Sequence, residues 1–112
     1  MTTAANSNEV VLREDKGGAV YLTLNRPDKL NTLSEAVLEA LQQQLDDIRQ
    51  DPSVRCVVIS GQGRGFCAGH DLQQMRDNPE QEYYEALFER CGTMMQSIVS
   101  LPVPVIAKVD GI

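Results

Sequence analysis

Hydrophobic and polar residues alternate from Ala19 to Leu24, with Val20, Leu22 and Leu24 on one side and Tyr21 and Thr23 on the other. A period of two predicts a strand with one face in the core. Upstream, Glu9 to Glu14 is a second β-rich run, joined to the first by Asp15-Lys16-Gly17-Gly18, whose glycines can take the positive φ of a hairpin turn. Asn25 to Asn31 is a polar connection in which Pro27 ends strand pairing. The period then lengthens. Leu33, Val37, Leu41, Leu45 and Ile48 recur at helical spacing and predict an amphipathic helix. Thr32 with Glu35 gives a capping-box pattern at its start, and Asp51-Pro52 stops it.

The run Val54 to Ser60 contains an unbroken Cys56-Val57-Val58-Ile59, which predicts a strand buried on both faces. Asp71 to Arg76 reads as a short helix that breaks at Asp77-Asn78-Pro79. A longer helix is expected from Glu80 to Ser100, with Tyr84, Leu87, Phe88, Cys91, Met95 and Ile98 on its apolar face. Leu101-Pro102-Val103-Pro104 ends it, and Val105 to Val109 reads as another buried strand running into Asp110-Gly111. The order β-β-α-β-α-α-β is an α/β architecture. A buried strand ending in a turn dipeptide would lack cover. Residues 9–112 are therefore expected to be the N-terminal part of a longer domain, behind a disordered lead-in at residues 1–8.

Composition narrows the partners. The net charge of −6 argues against general nucleic-acid binding, which depends on neutralising phosphates. Anionic small ligands remain open, because local basic residues decide them. Cys56, Cys67 and Cys91 are odd in number and lack zinc-ligand spacing, so a reduced, cytoplasmic compartment without a metal is expected. No apolar run approaches the roughly 20 residues of a membrane span.

The chemistry concentrates in Gly61-Gln62-Gly63-Arg64-Gly65-Phe66-Cys67-Ala68-Gly69-His70-Asp71-Leu72, directly after the third strand. Its glycines allow tight turns and close approach to a bound group. Asp71 with Gln74 resembles a capping box, and unpaired amides at a helix start attract negative charge. A strand, a glycine elbow and free amides make an oxyanion or phosphate cradle. A nucleotide phosphate loop fails on spacing: no Gly-Lys-Ser/Thr follows, and no Gly-x-Gly-x-x-Gly opens a helix directly.

Together with Asn25-Arg26-Pro27-Asp28-Lys29-Leu30-Asn31-Thr32-Leu33 and Pro102-Val103-Pro104-Val105-Ile106-Ala107-Lys108-Val109-Asp110-Gly111, that elbow resembles the enoyl-CoA hydratase/isomerase (crotonase) family. The resemblance spans about residues 9 to 112. It implies a crotonase-like spiral of ββα units, truncated here, and an acyl-CoA thioester as substrate, with coenzyme A entering as part of it and no separate cofactor. It also implies an oxyanion hole of two backbone amides, one of them that of His70. The second amide, two catalytic glutamates and the C-terminal helices that build a homotrimer or dimer of trimers would lie beyond residue 112. By the same resemblance Lys29, Leu30 and Asn31 face the coenzyme A nucleotide and wall, and Ala68, Gly69, His70, Asp71 and Leu72 line the elbow.

Read that way, the chain is a lyase-type enzyme fragment of fatty acid metabolism, inactive alone. The alternative is a non-catalytic acyl-CoA-binding or assembly protein of the same fold. For His70 the amide takes precedence over the imidazole as a general base, and the family often places alanine there. Asp71 reads first as a helix cap. Cys67 reads as a packed thiol, since no partner base is evident. Lys29 and Arg26 are either solvated loop charge or phosphate contacts. Glu80, Glu82, Glu85 and Glu89 read as a solvated helix side, and Met94 and Met95 as packing residues.

Overall fold

A computed structural model describes residues 9–111, so the lead-in at residues 1–8 lies outside the described residues. Its elements follow the order β1 (Val11–Lys16), β2 (Ala19–Leu24), α1 (Glu35–Arg49), β3 (Cys56–Gly61), α2 (Leu72–Asp77), α3 (Gln81–Val99) and β4 (Val105–Ala107). The strands form one sheet in the order β1-β2-β3-β4. β1 and β2 are antiparallel, whereas β2–β3 and β3–β4 are parallel. Each parallel step needs a crossover, supplied by α1 in the first case and by α2 and α3 in the second.

β1 runs two residues further than the sequence pattern suggests, to Lys16, because Gly17 and Gly18 alone make the turn. Both have positive φ, +57° and +90°, as a two-residue hairpin turn of this hand requires. Arg13 and Asp15 sit on the same side of β1 and form a two-pronged ion pair, with donor–acceptor distances of 2.8 and 3.0 Å. The Arg13 guanidinium holds the Asp15 carboxyl below its ordinary value. A depressed folded-state value makes this contribution present above the unfolded carboxylate range and lost as pH falls through the folded one. Asp15 is 54% exposed, so solvent screening limits the pair to about 0.2–1 kcal/mol. Asp15→Asn is expected to cost that much in urea unfolding at neutral pH and progressively less as acid protonates the carboxyl.

The core lies between one face of the sheet and the two long helices. Val20, Leu22, Leu24, Val57 and Ile59 point into it, meeting Val37, Leu38, Leu41, Leu45 and Ile48 of α1 and Leu87, Cys91 and Met94 of α3. The α1 stripe agrees with the sequence period, but its cap differs. Ser34, not Thr32, is the N-cap, its hydroxyl accepting from the Val37 amide at 3.3 Å. α3 is rotated from expectation: Met94 is buried, while Phe88 and Met95 are 48% and 51% exposed.

β3 buries Val57 and Ile59 but only half-covers Cys56 and Val58, because helices pack on one face of the sheet alone. β4 is a three-residue edge strand with Ile106 and Ala107 exposed, not a buried run to Val109. Arg49 ties the C-terminus of α3 to α1 through Ser100 Oγ at 2.6 Å, supporting carbonyls that the last helical turn leaves open.

Candidate functional site

The loops after β2 and β3 leave the carboxyl ends of two adjacent parallel strands, where open α/β sheets bind ligands. Asn31 locks them together. It is fully buried at positive φ (+54°), and its Oδ1 accepts from the Arg26 amide at 2.7 Å. Its Nδ2 donates to the carbonyls of Gln62 at 3.0 Å and Gly65 at 2.8 Å. The lacing continues through the Ala68 amide to the Leu30 carbonyl at 3.0 Å and the Leu33 amide to the Gly69 carbonyl at 2.7 Å.

These bonds leave an open recess of about 340 Å³ lined by Leu30, Arg64, Gly65 and Ala68. Leu30 and Ala68 come together as the sequence suggested. Arg64 and Gly65 join them without having been singled out, although both stood in the glycine-rich elbow. Asn31 is not in the lining; its amide group is spent inside the loops. Lys29 is exposed outside the recess, and Leu72 is 64% exposed on α2.

The elbow turns at Gly69, whose φ of +99° suits a residue without a side chain. His70 follows. Among the described residues its amide has no hydrogen-bond acceptor, so it is free to donate. Asp71 is the N-cap of α2, as its spacing from Gln74 suggested, so His70 lies one residue outside the helix. The elbow frees that amide, and the helix dipole adds little. The His70 ring meets Phe88 edge-on at 5.1 Å between centroids, and its Nδ1 is buried with no hydrogen-bond partner.

Asp71 fills its predicted structural role, with Oδ1 accepting from the Gln74 amide at 3.0 Å. The Gln74 side chain does not reach back to Asp71. Its Oε1 accepts from the Glu35 amide at 2.8 Å, so α2 also caps α1. Asp71→Ala is expected to cost about 1 kcal/mol of stability, measured by urea unfolding. Cys67 is half-buried and packs against the core, and burial pushes the neighbouring Cys91 thiol up. Among the described residues, no helix is long and apolar enough to cross a membrane.

The pattern that describes the enoyl-CoA hydratase/isomerase family matches residues 19–112. Over 112 residues the chain is 35% identical to the enoyl-CoA hydratase domain-containing protein 3, mitochondrial, of Danio rerio, covering all of this chain and 39% of that protein. It is 32% identical to the 1,2-epoxyphenylacetyl-CoA isomerase of Escherichia coli, covering 93% of this chain and 41% of the relative. A solved enoyl-CoA hydratase from Mycobacterium smegmatis superposes with a TM-score of 0.87 at 51% identity, over 89% of this chain and 39% of that one. The chain thus spans about two-fifths of the length of the proteins it matches. The elbow, the parallel strands beneath it and the matched sequence agree: this chain belongs to the enoyl-CoA hydratase/isomerase family, and its fold is the crotonase fold.

Proposed function

We propose that the chain binds an acyl-CoA thioester across the elbow, with the His70 N–H donating to the thioester oxygen. The observation that carries this is the His70 amide, for which the described residues offer no acceptor, two positions along the elbow from Ala68 of the recess lining. When the α-carbon becomes enolate-like, negative charge builds on that oxygen, and a fixed amide stabilises it more than the ground-state carbonyl. Arg64 at the recess is placed to neutralise a phosphate of the coenzyme A nucleotide, with Lys29 on the approach. Leu30 and Ala68 supply apolar wall.

For a protein of the relatives' full length the proposed reaction is hydration or isomerisation of a 2-enoyl thioester, and a homotrimer is part of the same proposal. A second donor and a positioned acid or base are needed there, since one amide of an oxyanion hole is worth about 3–4 kcal/mol of barrier. The purified 112-residue chain is therefore expected to bind and not to turn over. Titration with butyryl-CoA should move the amide resonances of Gly65, Ala68, Gly69 and His70, while hydration of crotonyl-CoA stays at background. Resonance changes confined to the far ends of the helices would remove the binding reading. Turnover well above background would remove the claim of inactivity.

A further inference from the structure

α2 is six residues long and none of them is fully buried, so core packing alone does not decide where it sits. Helices this short do not persist by themselves, and their placement depends on the contacts they make. Among the described residues, two polar links tie it to the long helices. The Tyr84 hydroxyl of α3 donates to the Met75 carbonyl at 3.1 Å. Gln74 reaches the other way, its Oε1 accepting at 2.8 Å from the Glu35 amide, a donor that the start of α1 leaves open. The chain just before α1 also grips the elbow upstream of His70. There the Leu33 amide donates to the Gly69 carbonyl at 2.7 Å, and Leu33 and His70 form an isolated parallel bridge. A trans peptide sets its C=O and N–H in opposite directions. The Gly69–His70 peptide is trans, so a carbonyl held on Leu33 turns the His70 N–H away from Leu33.

We propose that Gln74 is a positioning residue for the His70 amide: its side-chain oxygen, held by the start of α1, fixes the downstream end of the segment that carries this N–H. The inference deepens the acyl-CoA reading above and rests on it. Held at Leu33 alone, the peptide can rock about a single bond. Held at Leu33 before His70 and at Glu35 after it, the peptide keeps one direction. A donor fixed in direction stabilises charge on the thioester oxygen without having to reorganise first. Asp71 does not replace Gln74 in this, because its carboxylate closes only the local turn onto the Gln74 amide. The role needs an oxygen acceptor on a side chain of this length. Glutamate supplies one, and its charge suits the start of α1, whereas leucine and alanine supply none.

The test measures the affinities of butyryl-CoA and its thioether analogue S-butyl-CoA for the full 112-residue chain and for Gln74→Leu, Gln74→Ala and Gln74→Glu. The two ligands share everything except the acyl oxygen, so their affinity ratio isolates the His70 donor. Wild type should favour the thioester about fivefold, the worth of one hydrogen bond. Gln74→Leu and Gln74→Ala should bring the ratio to parity with the thioether affinity unchanged, and Gln74→Glu should keep the wild-type preference. A preference that survives in Gln74→Leu and Gln74→Ala, or is lost in Gln74→Glu, would overturn the inference. So would an equal loss of affinity for both ligands, which marks Gln74 as a purely structural residue. No preference in the wild type would instead remove the amide-donor reading, and the inference falls with it.

Discussion

Asn31→Ala should lower the free energy of unfolding by about 3–4 kcal/mol. The side chain is fully buried and makes three hydrogen bonds between 2.7 and 3.0 Å, to Arg26, Gln62 and Gly65. Each net bond is worth about 1 kcal/mol, but removing one partner strands the other, at about 1–3 kcal/mol for a buried group. Gln62 is exposed, so water can recover part of that loss at its carbonyl. The Gly65 carbonyl is enclosed and cannot be rescued as easily. Equilibrium urea unfolding of wild type and variant measures the difference. A loss below about 1 kcal/mol would mean that the loops do not depend on this side chain.

Gly61→Ala should be as damaging, by a steric route. A Cβ at position 61 would sit 2.5 Å from the Phe66 carbonyl oxygen, 2.9 Å from that of Gly65 and 2.8 Å from Asn31 Nδ2. Two of those atoms are backbone, so no rotamer change relieves the contact, and the glycine-rich loop must lift off the end of β3. Overpacking of this kind costs about 1–3 kcal/mol, and breaking the Asn31 bonds adds to it. The two substitutions disturb one network, so their double variant should cost clearly less than the sum. Additive losses in a double-mutant cycle would contradict a shared lock.

The elements that are locally determined were legible in the sequence. The alternation over β2 and the Leu33-to-Ile48 spacing of α1 each reflect a face that meets the core, and Asp71 capped α2 where its side-chain chemistry suggested. What was not legible depends on neighbours distant in sequence. α3 has a broad apolar arc in which Met94 and Met95 are equivalent by period; packing against α1 decides that Met94 goes inward. An unbroken apolar run such as β3 cannot say whether its second face is covered.

Within the site, the elbow was legible because glycine and Asp71 have specific backbone uses. Asn31 was read as wall from the family resemblance alone, and its burial follows from a second loop contributed by β3. Arg64 stood in the quoted motif, but an exposed cation in a loop carries no signal until Leu30 and Ala68 are seen beside it.

The His70 amide can be tested against a ligand that differs only at the acyl oxygen. A titration of the isotopically labelled chain would compare butyryl-CoA with S-butyl-CoA, the thioether that lacks the carbonyl, following the His70 N–H resonance. The amide should shift strongly with the thioester and little with the thioether, while Arg64 and Gly65 respond to both. Equal shifts at His70 with the two ligands, or none with either, would contradict its role as the oxyanion donor.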